Sequence, residues 1–237
     1  MFESISFIHP GTEWGERIWD FLLVHYFPHE PILRSSGAFK SDSWLLNWGK
    51  CLFYSIFVDK CLRERNSIIA IDDESQDILG VKLGYIATIA DHGSEAPHFL
   101  LEWVDYVSCL LPNSLFKALM CEKLVGILLR YDPFLAMEDL DCHKIYMGET
   151  LCVAEMARGQ GLGSELVQRS LEHSREQRCE FYLVSATGLY SQRIYHSLEF
   201  QVMKIVRYDE FKDRSGLTVI DDAQEHTHAQ TMFKAIL

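Results

Sequence analysis

Hydrophobic positions along this chain alternate between short near-continuous runs and a spacing of three to four residues, the patterns of buried strands and amphipathic helices. Ser4 to Ile8 reads as a short edge strand. After Pro10, Gly11 and Thr12 the spacing turns helical, through Trp14, Ile18, Phe21, Leu22 and His25. Pro28 and Pro31 cannot continue a helix, so this one is predicted to stop near Phe27. A second helix is predicted from just after Ser41 to about Glu64, with Trp44, Leu45, Trp48, Leu52, Ile56 and Cys61 as its buried stripe. Ser67 to Ile71 and Ile78 to Ile89 flank the polar run 72–77 and predict an antiparallel hairpin. Residues 98–131 read as helical in two pieces, broken at Pro112. Then come a strand over Ile145 to Ala154, a Gly-rich turn, and a helix from about Gly161 to Gln177. A strand over Phe181 to Ser185, a short helix over Ser191 to Leu198, a strand over Phe200 to Arg207 and a terminal strand over Thr231 to Leu237 complete the chain. Early hairpins and a central strand–helix–strand unit predict an α/β fold around one mixed, strongly twisted sheet. No repeat, low-complexity tract or linker divides it, so residues 1–237 are expected to form a single domain.

Composition narrows the partners. With 34 acidic and 22 basic side chains the formal charge is -12, a sign that repels nucleic acid and anionic lipid and suits a small cation. No stretch has the apolar length to span a bilayer, and the start Met1-Phe2-Glu3-Ser4 is acidic, unlike a secretory signal. Seven cysteines without CxxC spacing support neither a disulfide framework nor a zinc ribbon, so reduced thiols in the cytoplasm are expected. His226-Thr227-His228 offers a metal two ligands and no evident third, so no metal is expected.

The sharpest chemical signal runs from Leu151 to Gly163. A hydrophobic strand enters the turn Arg158-Gly159-Gln160-Gly161-Leu162-Gly163, which opens an amphipathic helix. Such a turn gathers unpaired backbone N–H groups at a helix N-terminus, where the dipole favours an anion and glycine permits close approach. Arg158 can add a positive charge, and a pyrophosphate fits this chemistry. A P-loop would need Lys where the turn instead leads to Ser164. A dinucleotide fingerprint belongs near a first strand, with an acidic residue ending the next, yet here the turn lies late and the next strand ends Leu183-Val184-Ser185.

The turn resembles the acyl-CoA signature of GNAT acetyltransferases, R/Q-x-x-G-x-G/A, with Arg158, Gly161 and Gly163 at its defining positions. Tyr195-His196-Ser197-Leu198-Glu199-Phe200 is similar to the family's second element, Y-x-x-x-G-F, except that Glu199 replaces the Gly. If that position requires φ > 0, Glu199 strains the turn by roughly 1 kcal/mol. Tyr26-Phe27-Pro28-His29-Glu30-Pro31-Ile32 resembles the F-F-x-x-E-P-L segment of insect-type arylalkylamine N-acyltransferases, and Thr187 and Ser191 match their hydroxyl pair.

The resemblance implies a GNAT fold with helices on both faces of the sheet, acetyl-CoA as cosubstrate, and direct attack of an amine in a ternary complex. It places acetyl-CoA on Cys152, Val153, Arg158, Gly159, Gln160, Gly161, Leu162, Gly163 and Ser164, with free N–H groups near Cys152 and Val153 facing the developing oxyanion. Glu30 becomes the base that deprotonates a cationic amine, directly or through water ordered by Thr187 and Ser191. Ser191 and Tyr195 both stand as acids for the departing thiolate, and the sequence does not choose between them. Tyr26 and Phe27 are the aromatic residues expected to line the acceptor pocket, whereas Trp14, Trp44 and Trp48 fall at core spacing. The reading is a monomeric cytoplasmic acetyltransferase for arylalkylamines such as dopamine, serotonin or tryptamine. Alternatives are transfer to a polyamine, an amino acid or a protein N-terminus, use of a longer acyl-CoA, and a catalytically silent acyl-CoA-binding module. An aromatic lining near Phe27 would favour the first; a second acidic residue deep in the cleft would favour a polyamine.

Overall fold

The structure, a computed structural model, describes residues 4–36, 58–88, 140–212 and 216–236. The predicted helical pieces over 98–131, and most of the helix expected after Ser41, lie outside the described residues. Numbered within them, the elements begin with β1 (Ile5–Ile8), a 3-10 turn (Thr12–Trp14), α1 (Gly15–His25), α2 (Pro31–Ser36), α3 (Asp59–Arg63), β2 (Ile68–Asp72) and β3 (Ile78–Thr88). They continue with β4 (Lys144–Val153), α4 (Leu162–Glu176), β5 (Phe181–Ala186), α5 (Leu189–Ser197), β6 (Gln201–Arg207) and β7 (His228–Ala235).

The seven strands form one sheet in the order β1-β2-β3-β4-β5-β7-β6. Among the described residues β4 and β5 run parallel, joined across α4, and the other neighbouring pairs are antiparallel. Thus the mixed α/β sheet matches the expectation from the hydrophobic pattern. The last strand differs in detail. It starts at His228, three residues before Thr231, and lies between β5 and β6, where both sides of its ladder are used.

Core clusters occupy both faces. On one, Ile18, Phe21 and Leu22 of α1 and Cys61 and Leu62 of α3 pack on Ile69, Val81, Leu83 and Cys152. On the other, Val167 and Leu171 of α4 and Tyr195 of α5 pack on Tyr146, Tyr182 and Val184. The Tyr146 and Tyr182 rings lie 4.5 Å apart between centroids, and each hydroxyl is paired, to Asn66 O at 2.8 Å and Ser170 Oγ at 2.7 Å. Buried phenols keep their apolar area only if the O–H finds such a partner.

Strand β4 is irregular in the middle. Leu83 faces Thr150 and Gly84 faces Gly148, so Glu149 bulges out of the β3 ladder. Pairing with β5 covers Ile145 to Gly148 and goes no further. Beyond Gly148, β4 diverges from β5 while remaining bonded to β3.

At the end of α5, Glu199 has φ 62°, and Phe200 N–H reaches back to Tyr195 O at 3.0 Å. This is a left-handed helix stop, the conformation glycine adopts without a Cβ penalty. The ion pair of Glu199 with Lys234 (3.4 Å) is too exposed on the Glu199 side to offset the strain. Glu199→Gly should therefore stabilise the fold by about 0.5–1 kcal/mol, read as a higher urea midpoint at unchanged m-value.

Candidate active site

The Gly turn sits at the end of the diverging strand. Gly159 and Gly161 have φ 74° and 84°, and a Cβ built on either would meet no atom within 4 Å. The glycines therefore answer a backbone requirement and leave the space above them open for a ligand. Gly161 caps α4 in the left-handed region, and the first internal helix bond joins Glu165 N–H to Gly161 O at 3.0 Å. The N–H groups from Gly161 to Ser164 precede that bond and have no intrahelical acceptor. Arg158, which opens the turn, reaches back through Nε to Val153 O at 3.1 Å and through Nη2 to His25 O at 3.5 Å. An anion such as a pyrophosphate fits the donor set. Gly163 serves another purpose as well: a Cβ there would lie 2.9 Å from Ile194 Cδ1, so its absence lets α4 and α5 approach. Leu162 is buried beneath the cradle, and the Gln160 amide bonds Met156 O at 3.3 Å.

Past Gly148, every second N–H and C=O of β4 through Val153 faces the gap toward β5. Cys152 lies in this stretch, buried, with its thiol pushed up to about 12 by burial, against a smaller opposing effect of Arg158. Such a thiol is unionised at neutral pH and is a poor nucleophile.

Glu30 is placed by its prolines. The chain leaves α1 at His25, two residues earlier than predicted, turns through Tyr26 to Glu30, and starts again at Pro31. Pro31 opens α2 instead of only ending α1, as proline does at a first helical position. Glu30 Oε2 accepts the Leu33 N–H at 2.5 Å, capping this short helix. Glu30 Oε1 is buried and closes no hydrogen bond among the described residues, although the Thr187 hydroxyl stands near enough to favour the charged carboxylate. With 5% of its surface exposed, Glu30 has its pKa raised by burial, partly opposed by the N–H groups of Leu33 and Ile32 and by Thr187. A carboxyl raised from its usual range is suited to accept a proton near neutrality.

α2 is held over the C-terminal end of β5 by Ile32, which packs on Val206, Tyr208, Val219, Ile220 and Ala229. Arg34 pairs with Asp222 at 2.9 Å. Thr187 follows β5 directly and offers its carbonyl to the Tyr208 hydroxyl at 2.5 Å. Burial, then Glu30, pushes the Tyr208 phenol far up. Tyr208 thus belongs to this cluster, and nothing in the sequence pattern singled it out. Ser191 lies in the first turn of α5 and donates to Gly188 O at 2.8 Å. His226, treated above as half of a metal pair, accepts the Leu189 N–H on Nδ1 at 3.0 Å. Among the described residues no group of three His, Cys, Asp or Glu could hold a metal.

Two expectations are corrected. Phe27 does not line a pocket: its ring is 1% exposed and packs edge-on against Trp19, 5.3 Å between centroids, and against Tyr26. Tyr26 remains half-buried, and burial, then the nearby Glu30 carboxylate, pushes its phenol far up. Tyr195 is 3% exposed, set edge-on to Phe200 at 5.0 Å, and burial pushes its phenol far up. It is a core residue beneath α5 and is not open to the gap beside β4. His9 bonds Ser67 O and packs against the His173 ring, 4.4 Å between centroids.

A strand that parts from its parallel neighbour and ends in a glycine cradle at a helix N-terminus defines an acyltransferase of the GNAT class. The chain belongs to the acetyltransferase (GNAT) family, whose model matches residues 42–200. No curated protein sequence matches it. Among solved structures it is similar to arylalkylamine N-acetyltransferase 2 of the mosquito Aedes aegypti, 21% identical, with 99% of this chain and 100% of that one covered and a TM-score of 0.74. It is similar to a mosquito arylalkylamine N-acetyltransferase-like protein 5b, at 18% identity, 98% and 100% coverage and a TM-score of 0.73. It also resembles the Drosophila melanogaster polyamine N-acetyltransferase that forms N-acetylagmatine, at 19% identity, 98% and 99% coverage and a TM-score of 0.71. At these identities the likeness is one of fold.

Two measurements check the site. Arg158→Ala should raise the acetyl-CoA Kd about tenfold by calorimetry, and an unchanged Kd would remove Arg158 from the cradle. Glu30→Gln keeps a cap acceptor without the buried charge. A raised folded pKa means that the native state binds more protons than the unfolded chain above the ordinary carboxyl value. Stability from this group is therefore lost as pH rises through the folded pKa. Glu30→Gln should melt higher than the parent at pH 8, and the difference should shrink toward pH 5.

Proposed function

We propose that the chain transfers the acetyl group of acetyl-CoA to the primary amine of a small arylalkylamine of the dopamine, serotonin or tryptamine type, by direct attack in a ternary complex. The observation that carries this reading is the buried Glu30 carboxylate, capped on one oxygen and left open on the other beside Thr187. Aliphatic ammonium groups titrate far above neutrality, so the acceptor must give up a proton before it attacks. Glu30 takes that proton, directly or through water ordered by Thr187 and Ser191. The freed amine attacks the thioester carbonyl, and the gap-facing N–H groups of β4 hold the oxygen as charge develops there. The C–S bond then breaks, and a proton from the Ser191 hydroxyl or a water serves the departing thiolate. The burial of Tyr195 weighs against it in that role.

Tyr26, half-buried beside Glu30, supplies the aromatic contact for the acceptor ring. The protein acts as a cytoplasmic monomer with acetyl-CoA and a small amine as its only partners, without metal. The net charge of -12 supports a cationic substrate and opposes nucleic acid, and among the described residues no helix is long and apolar enough to cross a membrane. A second reading, an acceptor with two cationic groups such as agmatine or a polyamine, draws support from Glu149, a second carboxylate electrostatically close to Tyr26.

Thiol release from acetyl-CoA over tryptamine, serotonin, dopamine, tyramine, spermidine and a peptide amine tests the proposal. Turnover concentrated on the aromatic amines is expected, with kcat lowered about 10²–10³-fold by Glu30→Ala. Equal rates for Glu30→Ala and the parent would sink Glu30 as the base.

A further inference from the structure

At the joint between β5 and α5, three consecutive carbonyls each accept a side-chain donor. Gln192 Nε2 donates to Ala186 O at 3.1 Å, the Tyr208 hydroxyl to Thr187 O at 2.5 Å and Ser191 Oγ to Gly188 O at 2.8 Å. Connecting segments ordinarily give such groups to water and stay mobile. This one is pinned at each peptide. Gln192 and Ser191 belong to α5 itself, and a second Gln192 bond, to His228 O at 2.9 Å, ties the joint to β7. Tyr208 comes from elsewhere. It opens the 3-10 turn Tyr208–Glu210 after β6, and its own N–H bonds Thr227 O at 3.0 Å.

The Tyr208 ring is 3% exposed and lies in the buried cluster that seats Ile32 of α2. Glu30 is joined firmly to that helix: the Leu33 N–H bonds Glu30 Oε2 at 2.5 Å, and the Arg34 N–H bonds Glu30 O at 2.8 Å. One side chain therefore connects the helix that carries Glu30 to the joint that carries Thr187. Each link in the path is a packing contact or a hydrogen bond, from carboxylate to α2, from Ile32 to the phenol ring, and from phenol hydroxyl to the Thr187 carbonyl. Stability asks only that a buried O–H find an acceptor. That the acceptor is the Thr187 carbonyl is what couples the two halves of the site.

We propose, resting on the amine-acetylation reading above, that Tyr208 is a positioning residue for proton removal: by holding α2 and the Thr187 peptide in one frame, it sets how the Glu30 carboxylate and the Thr187 hydroxyl stand to each other. A misplacement of about 1 Å in a reacting group can cost on the order of 10²-fold in rate, so a hydroxyl that only supports the reacting groups can control kcat. Burial pushes the Tyr208 phenol far up, so it keeps its proton and remains a donor at neutral pH. The glycine cradle is built on β4 and α4, outside this path. Loss of the Tyr208 hydroxyl should therefore lower kcat and spare acetyl-CoA affinity.

The test is a double-mutant cycle of Tyr208→Phe and Thr187→Val, read as kcat for the best amine of the panel above at saturating acetyl-CoA, and as acetyl-CoA Kd by calorimetry. Tyr208→Phe keeps the ring in its cluster and removes only the hydroxyl. It is expected to lower kcat about tenfold with the Kd unchanged. In the Thr187→Val background the same change should cost less than about twofold, because the hydroxyl that Tyr208 positions is already gone. A merely structural Tyr208 would lower the melting temperature and leave kcat alone, or give equal losses in both backgrounds. Either result overturns the inference and, with the parent turning over, leaves the amine-acetylation reading intact. Ile32→Val covers the case in which Tyr208→Phe does not fold. It loosens the same cluster by one methyl and should lower kcat about threefold at unchanged Kd, and an unchanged kcat overturns the inference. Silence of the parent on every amine overturns both.

Discussion

Beyond Gly148, strand β4 stays hydrogen-bonded to β3 from Thr150 to Val153 but gives up β5. Unpaired main-chain groups in a protein interior are costly, so a sheet opens in this way only where something else will meet them. The opening has a local cause in the bulge at Glu149, which breaks the register and turns the strand. It has an energetic support in the tyrosines at its closed end, whose buried rings and paired hydroxyls hold β4 to β5 up to the point of parting. The glycine cradle begins only ten residues beyond Gly148, at Arg158, so the parted strand leads straight into the helix N-terminus. The binding of an extended, anionic acyl carrier is in this sense a consequence of where one strand stops pairing.

The acceptor side obeys a different constraint. Glu30 comes from the N-terminal third of the chain, while Thr187 follows β5 late in the chain. They meet because Ile32 docks α2 into a cluster built from β6, β7 and the segment between them. The same carboxylate both caps the helix and faces Thr187. That double use keeps it rigid and dry. Rigidity holds the open oxygen in place, and dryness raises its affinity for a proton.

Much of the sheet was legible from sequence because long apolar runs such as 78–88 and 144–153 have one physical interpretation once turns bound them. The Gly turn was legible for the same kind of reason: Gly159 and Gly161 occupy backbone conformations that other residues resist. Glu199 shows the converse, a non-glycine forced to φ 62° where the local pattern called for Gly. Side-chain burial was less accessible. Phe27 and Tyr26 are adjacent aromatics, and only the turn after α1 decides that one enters the core while the other stays at the cleft. Tyr195 sits on a helix whose buried face depends on the closeness of α4, set by Gly163 and Ile194. Tyr208 was not recognisable at all, since its hydroxyl finds Thr187 through a contact between distant parts of the chain.

Lys82, buried in β3, was hidden for a related reason. In the run Ile78 to Thr88 a single lysine reads as the solvent-facing member of a strand, yet both faces of β3 are covered, by α1 and α3 on one side and α4 on the other. A covered strand tolerates a lysine only where there is space for it, and here Gly148 supplies that space. Shifting Glu149 out of the ladder leaves Gly148 in register, where the lack of a Cβ makes room for the ammonium. The irregularity that parts β4 from β5 and the space that admits a buried ammonium thus fall at adjacent residues of one strand.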